Sequence, residues 1–217
     1  MRYLKMVGLA GLAAAALLAA FGSASAPADV LCKEAPNAAG ECKTPGEGGL
    51  GSYASGSVFE GTAKTVTFAT TPENIVCEST MNVKTTSAGG AKGTAVTSSL
   101  AGLTFKACHT EPNNKSCTVE LERQWGGFDW IATDNKGHGF LIATESGAIQ
   151  VTCPSLKCVF RAEPSLSVTG GNPATVSAIE VGLGIEEREG FLECPKEASW
   201  SGSYTIKSPL WPVTKDK

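Results

Sequence analysis

The most reactive side chains in this sequence are eight cysteines, Cys32, Cys42, Cys77, Cys108, Cys117, Cys153, Cys158 and Cys194. Closely spaced thiols exchange electrons, hold a metal or pair as staples. The tightest pair lies in "QVTCPSLKCVF", residues 150–160. Its C-x4-C spacing is not the C-x-x-C of a redox catalyst. Zinc hooks occur twice and usually recruit histidine, whereas His109 and His138 form no ligand spacing with this pair. No metal or other cofactor is therefore expected. Ile149, Val151 and Cys153 alternate with Ala148, Gln150 and Thr152, and Cys158 shares parity with Phe160. With "PSLK" as a four-residue loop, Cys153 and Cys158 are predicted to face each other across a hairpin. Their Cα atoms would then lie about 4.5–5.5 Å apart, within disulfide range. Proximity favours Cys108–Cys117 around the turn-forming "HTEPNNKS" and Cys32–Cys42 nearer the N-terminus. Cys77–Cys194 is then the long-range bridge, one preference among about 105 pairings. Cys108 sits on the opposite parity from Leu103, Phe105 and Ala107, so this scheme needs a bulge or a strand end there.

The stretch "QWGGFDW" is the candidate binding site. Trp125, Phe128 and Trp130 surround a Gly-Gly turn, and Asp129 supplies a polar handle. Exposed, these rings would stack on a glycan or grip a protein partner. The competing reading is that they pack inside, as large aromatics usually do. "IEEREG" places Glu186, Glu187 and Glu189 around Arg188. Paired carboxylates hydrolyse glycosides only when they flank a cleft, and on one strand this run reads as a solvated end with a local Glu–Arg pair. His109 and His138 read as exposed loop histidines, and no G-x-S-x-G elbow accompanies them. The glycine-rich "TGGNP" and "GEGGLGS" lack the strand-to-helix setting of a phosphate cradle. "NKS" at Asn114 matches a glycosylation sequon, a weak signal. No catalytic residues are assigned.

The elements that must carry these groups are strands. Residues 1–28 read as a secretory signal: Arg2 and Lys5, an apolar and small-residue run over 6–21, then small residues suited to cleavage after Ala26 or Ala28. The run is short for a membrane span, and no later one is longer than a few residues. Two of the 18 basic residues lie in this leader, so the remaining 16 face 21 acidic ones, net −5. That mild acidity, without basic clusters, argues against nucleic acid and anionic membrane partners. Residues 29–57 read as an irregular stapled lead-in, 58–208 as a β-domain and 209–217 as a tail. Strand candidates recur between turn signals such as "TPEN", "SAGG", "DNKG" and "TGGNP". They include an alternating run, Ile179, Val181, Leu183 and Ile185, whose outer face is softened by Gly182 and Gly184. The fold class is all-β, a single antiparallel sandwich or barrel-like domain with disulfides.

The segments "NIVCEST", "LTFKAC" with "SCTVEL", "AIQVTCPSLKCVF" and "ASWSGSYTIK" resemble a group of uncharacterised exported proteins of soil actinobacteria, over residues 56–208. The resemblance implies export, β-structure and bridges, and supplies no activity; the additional pair Cys32 and Cys42 departs from its pattern. The expected role is an exported extracellular or cell-envelope protein, structural or weakly binding, with cell-wall glycan or an extracellular protein as partner. A secreted hydrolase and a disulfide-rich inhibitor presenting "HTEPNNKS" or "PSLK" are the alternatives.

Overall fold

Alternation of apolar and hydroxyl residues carries most of the chain into strands. The computed structural model describes residues 26–27, 30–44, 49–70, 73–89, 95–154, 156–190 and 194–214. The expected signal lies outside the described residues except for Ala26–Pro27. In chain order the strands are β1 (Ala26–Pro27), β2 (Val30–Cys32), β3 (Val58–Ala69), β4 (Asn74–Thr85), β5 (Thr97–Glu111), β6 (Thr118–Arg123) and β7 (Phe128–Ala132). They continue as β8 (His138–Ala143), β9 (Gly147–Cys153), β10 (Leu156–Ala162), β11 (Ser165–Thr169), β12 (Ala174–Gly190), β13 (Glu197–Ile206) and β14 (Trp211–Val213). The all-β class expected from the sequence is what folds.

One antiparallel sheet runs β11-β8-β7-β5-β4-β3-β13-β12-β10-β9-β6, and β11 also pairs with β12. That extra pairing closes β12, β11, β8, β7, β5, β4, β3 and β13 into a ring, which removes the aggregation-prone edges. A second closure forms beside it. β10, β9 and β6 continue from the far half of β12 and return to the far end of β5, where Cys117 N–H donates to Cys108 O at 3.0 Å. The molecule thus has a shared layer of long strands, β5-β4-β3-β13-β12, faced by two three-stranded groups set one after the other.

Bulges mark where the layer passes from one half to the next. β3 takes an extra residue at Lys64–Thr65, β5 at Ala107 and β12 at Ile179–Glu180. Ala107 (φ 52°) and Glu180 (φ 49°) occupy left-handed backbone conformations. Each extra residue flips the alternation, since side chains point to opposite faces with period two. In β12, Val176 and Ala178 are buried before the bulge and Val181 and Leu183 after it, while Ile179 is pushed out to 70% exposure. The predicted inward alternation therefore holds only from Val181 onward. In β5 the bulge at Ala107 turns Cys108 inward, the reconciliation its parity required.

The cysteine partners differ from those predicted, apart from one. Cys32–Cys42 forms, but the other bridges are Cys77–Cys108, Cys117–Cys153 and Cys158–Cys194. The hairpin register explains the correction. Leu156, not Cys158, lies opposite Cys153, so the loop shrinks to residues 154–155 and Cys158 faces Val151. Cys153 then meets Cys117 beside the Thr118–Thr152 pairing, and Cys158 meets Cys194 ahead of β13. Cys108 and Cys117 are backbone neighbours, yet the bulge directs Cys108 onto Cys77 of β4. All three of these bridges lie in the β6-β9-β10 half.

The lead-in and the tail are joined. β2 pairs with β14, Leu31 is buried in the main core, and Tyr53 Oη donates to Pro209 O at 2.6 Å. The interior is aromatic throughout: Tyr53 meets Phe59 edge-on, Phe59 meets Trp130, and Trp200 stacks with Phe68 and Trp125. Tyr204 is fully buried, and its hydroxyl donates to Ser79 Oγ at 3.0 Å. Burial pushes its pKa far up, outweighing the opposing hydrogen bond with Ser79. A raised pKa favours the neutral form in the fold, so this contribution is intact below the unfolded tyrosine pKa of about 10 and is lost as pH rises above it. Melting temperature is accordingly expected to fall on titration above about pH 10, and Tyr204→Phe to flatten that fall. An unchanged alkaline slope in the variant would exclude Tyr204 as its source.

Candidate functional site

Strand β7 decides the fate of the aromatic cluster. Its burial alternates, with Phe128, Trp130 and Ala132 inward and Asp129 and Ile131 half-buried on the other face. Trp130 is 1% exposed and donates through Nε1 to Ser98 Oγ at 2.6 Å. Trp125, in the connection before β7, is also buried and donates through Nε1 to Ala162 O at 2.9 Å. Its ring lies against the start of β9, where a Cβ on Gly147 would come within 2.8 Å of it. The proposed stacking platform is thus part of the core. Both indole N–H groups are satisfied inside, and Asp129 alone of the four keeps a partly open side chain. The signal for this was present in the sequence, since Phe128, Trp130 and Ala132 share parity in an alternating strand.

The remaining candidates are also placed. His109 is half-buried in β5, with Nδ1 at 3.0 Å from Ala107 O, and His138 opens β8; neither is a loop residue as expected. Asp134 holds His138 firmly. Its Oδ2 lies 2.6 Å from His138 Nδ1, while Oδ1 accepts the backbone N–H of Lys136 at 2.8 Å and of His138 at 3.0 Å. Partial burial raises the Asp134 carboxyl, but these hydrogen bonds prevail and hold it below its ordinary value. The pair has the form of an oriented base, yet no hydroxyl or thiol is hydrogen-bonded to His138 among the described residues. In the acidic run, Glu186 is clasped by Arg123 of β6 through two hydrogen bonds of 3.1 and 2.9 Å. That clasp is the first cause of its lowered pKa. The side chains of residues 187–190 lie outside the described set.

No family model, curated protein or solved structure matches this chain.

Several concave regions and one exposed loop occur among the described residues. A cleft of about 680 Å³ separates residues 35–38 of the lead-in from the β7–β8 turn, residues 133–136. Its polar groups are largely engaged already: Asn37 Oδ1 accepts from Ala39 and Glu41, and Asp134 is bound as described. Asn135 Oδ1 is buried there without a partner, its side chain pressed against Gly40, where a Cβ would clash at 2.6 Å. The loop 111–116 is exposed and stapled at its base by two bridges. Its Lys115 is drawn back toward Glu73 at 3.6 Å, and Asn113 donates to the same carboxylate. A smaller depression of about 410 Å³ lies on the outer face of β3, β4 and β5, bordered by Thr62, Lys64, Glu78, Thr80 and Lys106. Its three charged groups are unpaired among the described residues. No cluster of metal-ligating side chains occurs among the described residues.

Proposed function

We propose that this chain is an exported, bridge-stapled β-module that works outside the cell or in its envelope, binding a glycan or protein partner weakly rather than catalysing a reaction. The observation that carries this reading is that all eight cysteines are paired, with no free thiol. Such pairing is stable where thiols meet oxidising conditions and is rare in reducing compartments. The basic start and apolar run of residues 1–28 support export. Support for binding over catalysis comes from the oriented Asp134–His138 pair, which meets no nucleophile among the described residues, and from Glu186, whose carboxylate is clasped by Arg123.

Two measurements test it together. Denatured, exported protein is expected to show no reactive thiol and an N-terminus after Ala26 or Ala28. The same material is expected to be retained on isolated cell-wall polysaccharide. Two or more free thiols per molecule, or an uncleaved leader in an exporting host, would refute the compartment. Free passage over both glycan and extracellular protein fractions would leave a structural role only.

A further inference from the structure

The strand registers bring together residues that are far apart in sequence. Thr169, Thr175, Thr205, Thr62, Thr80 and Thr104 lie directly opposite one another across β11, β12, β13, β3, β4 and β5. Each is exposed or half-buried, and none of the six hydroxyls bonds to another group of the described protein. With strands about 4.8 Å apart, the row extends roughly 24 Å over the outer surface. Threonine suits strands and cross-strand pairing for its own sake. A second, independent feature lies on the row. At Thr62 and Thr80 it enters the depression of about 410 Å³ bordered by Lys64, Glu78 and Lys106. Among the described residues neither lysine nor the glutamate has an ion-pair partner, although Glu78 and Lys106 are register neighbours. The bulge at Lys64–Thr65 turns Thr65 outward in place of an inward residue, while Lys64 keeps the outward parity of Thr62 and stands at the depression.

We infer that this face is a docking tract for a linear acidic polysaccharide, an inference that rests on the glycan-binding reading above. Each threonine offers one hydroxyl, donor and acceptor at once, beside a methyl. A sugar ring presents the same mixture of hydroxyls and C–H groups. The two lysines supply the local charge for carboxylates on the glycan, against an exported chain whose 16 basic and 21 acidic residues leave it at net −5. Glu78 accepts from ring hydroxyls. Single contacts of this kind are weak at an open surface, and affinity arises from their repetition along one chain.

The test uses the full oxidised protein on immobilised polygalacturonate, with dextran as the neutral control. Wild type is expected to be retained on polygalacturonate and released by added salt. Lys64→Ala/Lys106→Ala is expected to weaken retention roughly fivefold. Thr62→Val/Thr80→Val, which keeps the β-branched shape and removes only the hydroxyls, should weaken it by a similar factor at an unchanged melting temperature. Equal retention of both variants and wild type would overturn the tract, as would wild type passing through polygalacturonate unretained. Retention on dextran undiminished in the variants would sink the tract while leaving glycan binding standing. Loss in the lysine variant alone would overturn the part assigned to the threonine row.

Discussion

Full reduction by excess dithiothreitol is expected to unfold this protein at room temperature, or nearly so. Bridges Cys77–Cys108, Cys117–Cys153 and Cys158–Cys194 join residues 31, 36 and 36 positions apart. In the chain-entropy model each contributes roughly 3.5–4 kcal/mol, and the ten-residue loop of Cys32–Cys42 roughly 2.5–3 kcal/mol. The closed loops follow one another along the chain without nesting, so their effects are close to additive. Roughly 11 kcal/mol therefore rests on one half of the molecule, against a total of about 5–15 kcal/mol for a typical domain. Urea unfolding of oxidised and reduced protein measures the difference. Cys158→Ala/Cys194→Ala should lose roughly 3–4 kcal/mol. Cys32→Ala/Cys42→Ala should lose less, because its loop is shorter and it packs only against Val30, Val213 and Trp211, outside the main core. A reduced chain as stable as the oxidised one, or an inverted ranking of the two variants, would show that the apolar core carries the β6-β9-β10 half unaided.

Trp130→Ala is the single substitution expected to do most damage. Removing a fully buried indole from a packed interior costs about 3–5 kcal/mol. A further 1–3 kcal/mol or so follows if Ser98 Oγ, itself buried, is left without its donor. Trp125→Ala should behave similarly, leaving the Ala162 carbonyl unpaired beside a cavity under Gly147. These variants also separate core from surface. Because both rings are inside, glycan retention per folded molecule should stay at the wild-type level while the melting temperature drops sharply. A variant that melts like wild type but no longer binds would return the site to "QWGGFDW".

Much of the architecture was legible because it is local. Period-two alternation located strands from β3 to β13, and glycine, proline and asparagine marked the turns between them, since both depend on a few neighbouring residues. Even the bulge near Cys108 announced itself as a broken parity. β2 and β14 left no such trace. Each is only three residues long, and they exist because the lead-in and the tail meet, which no window along the chain contains.

Partner choice and exposure belonged to the tertiary structure. A two-residue turn in place of a four-residue one shifted the β9–β10 register, and that shift alone took Cys158 from Cys153 and gave it to Cys194. The same dependence governs the aromatic cluster: alternation says that Phe128 and Trp130 share a face, but only closure of the ring makes that face the inside. It governs the threonine row as well, where six residues scattered from 62 to 205 become neighbours through five successive registers. Residue types and their spacing determined which segments are strands and that the cysteines pair. Register, set by turn length and by one extra residue in a bulge, decided which residues meet, because in a sheet one residue of slip exchanges one face for the other.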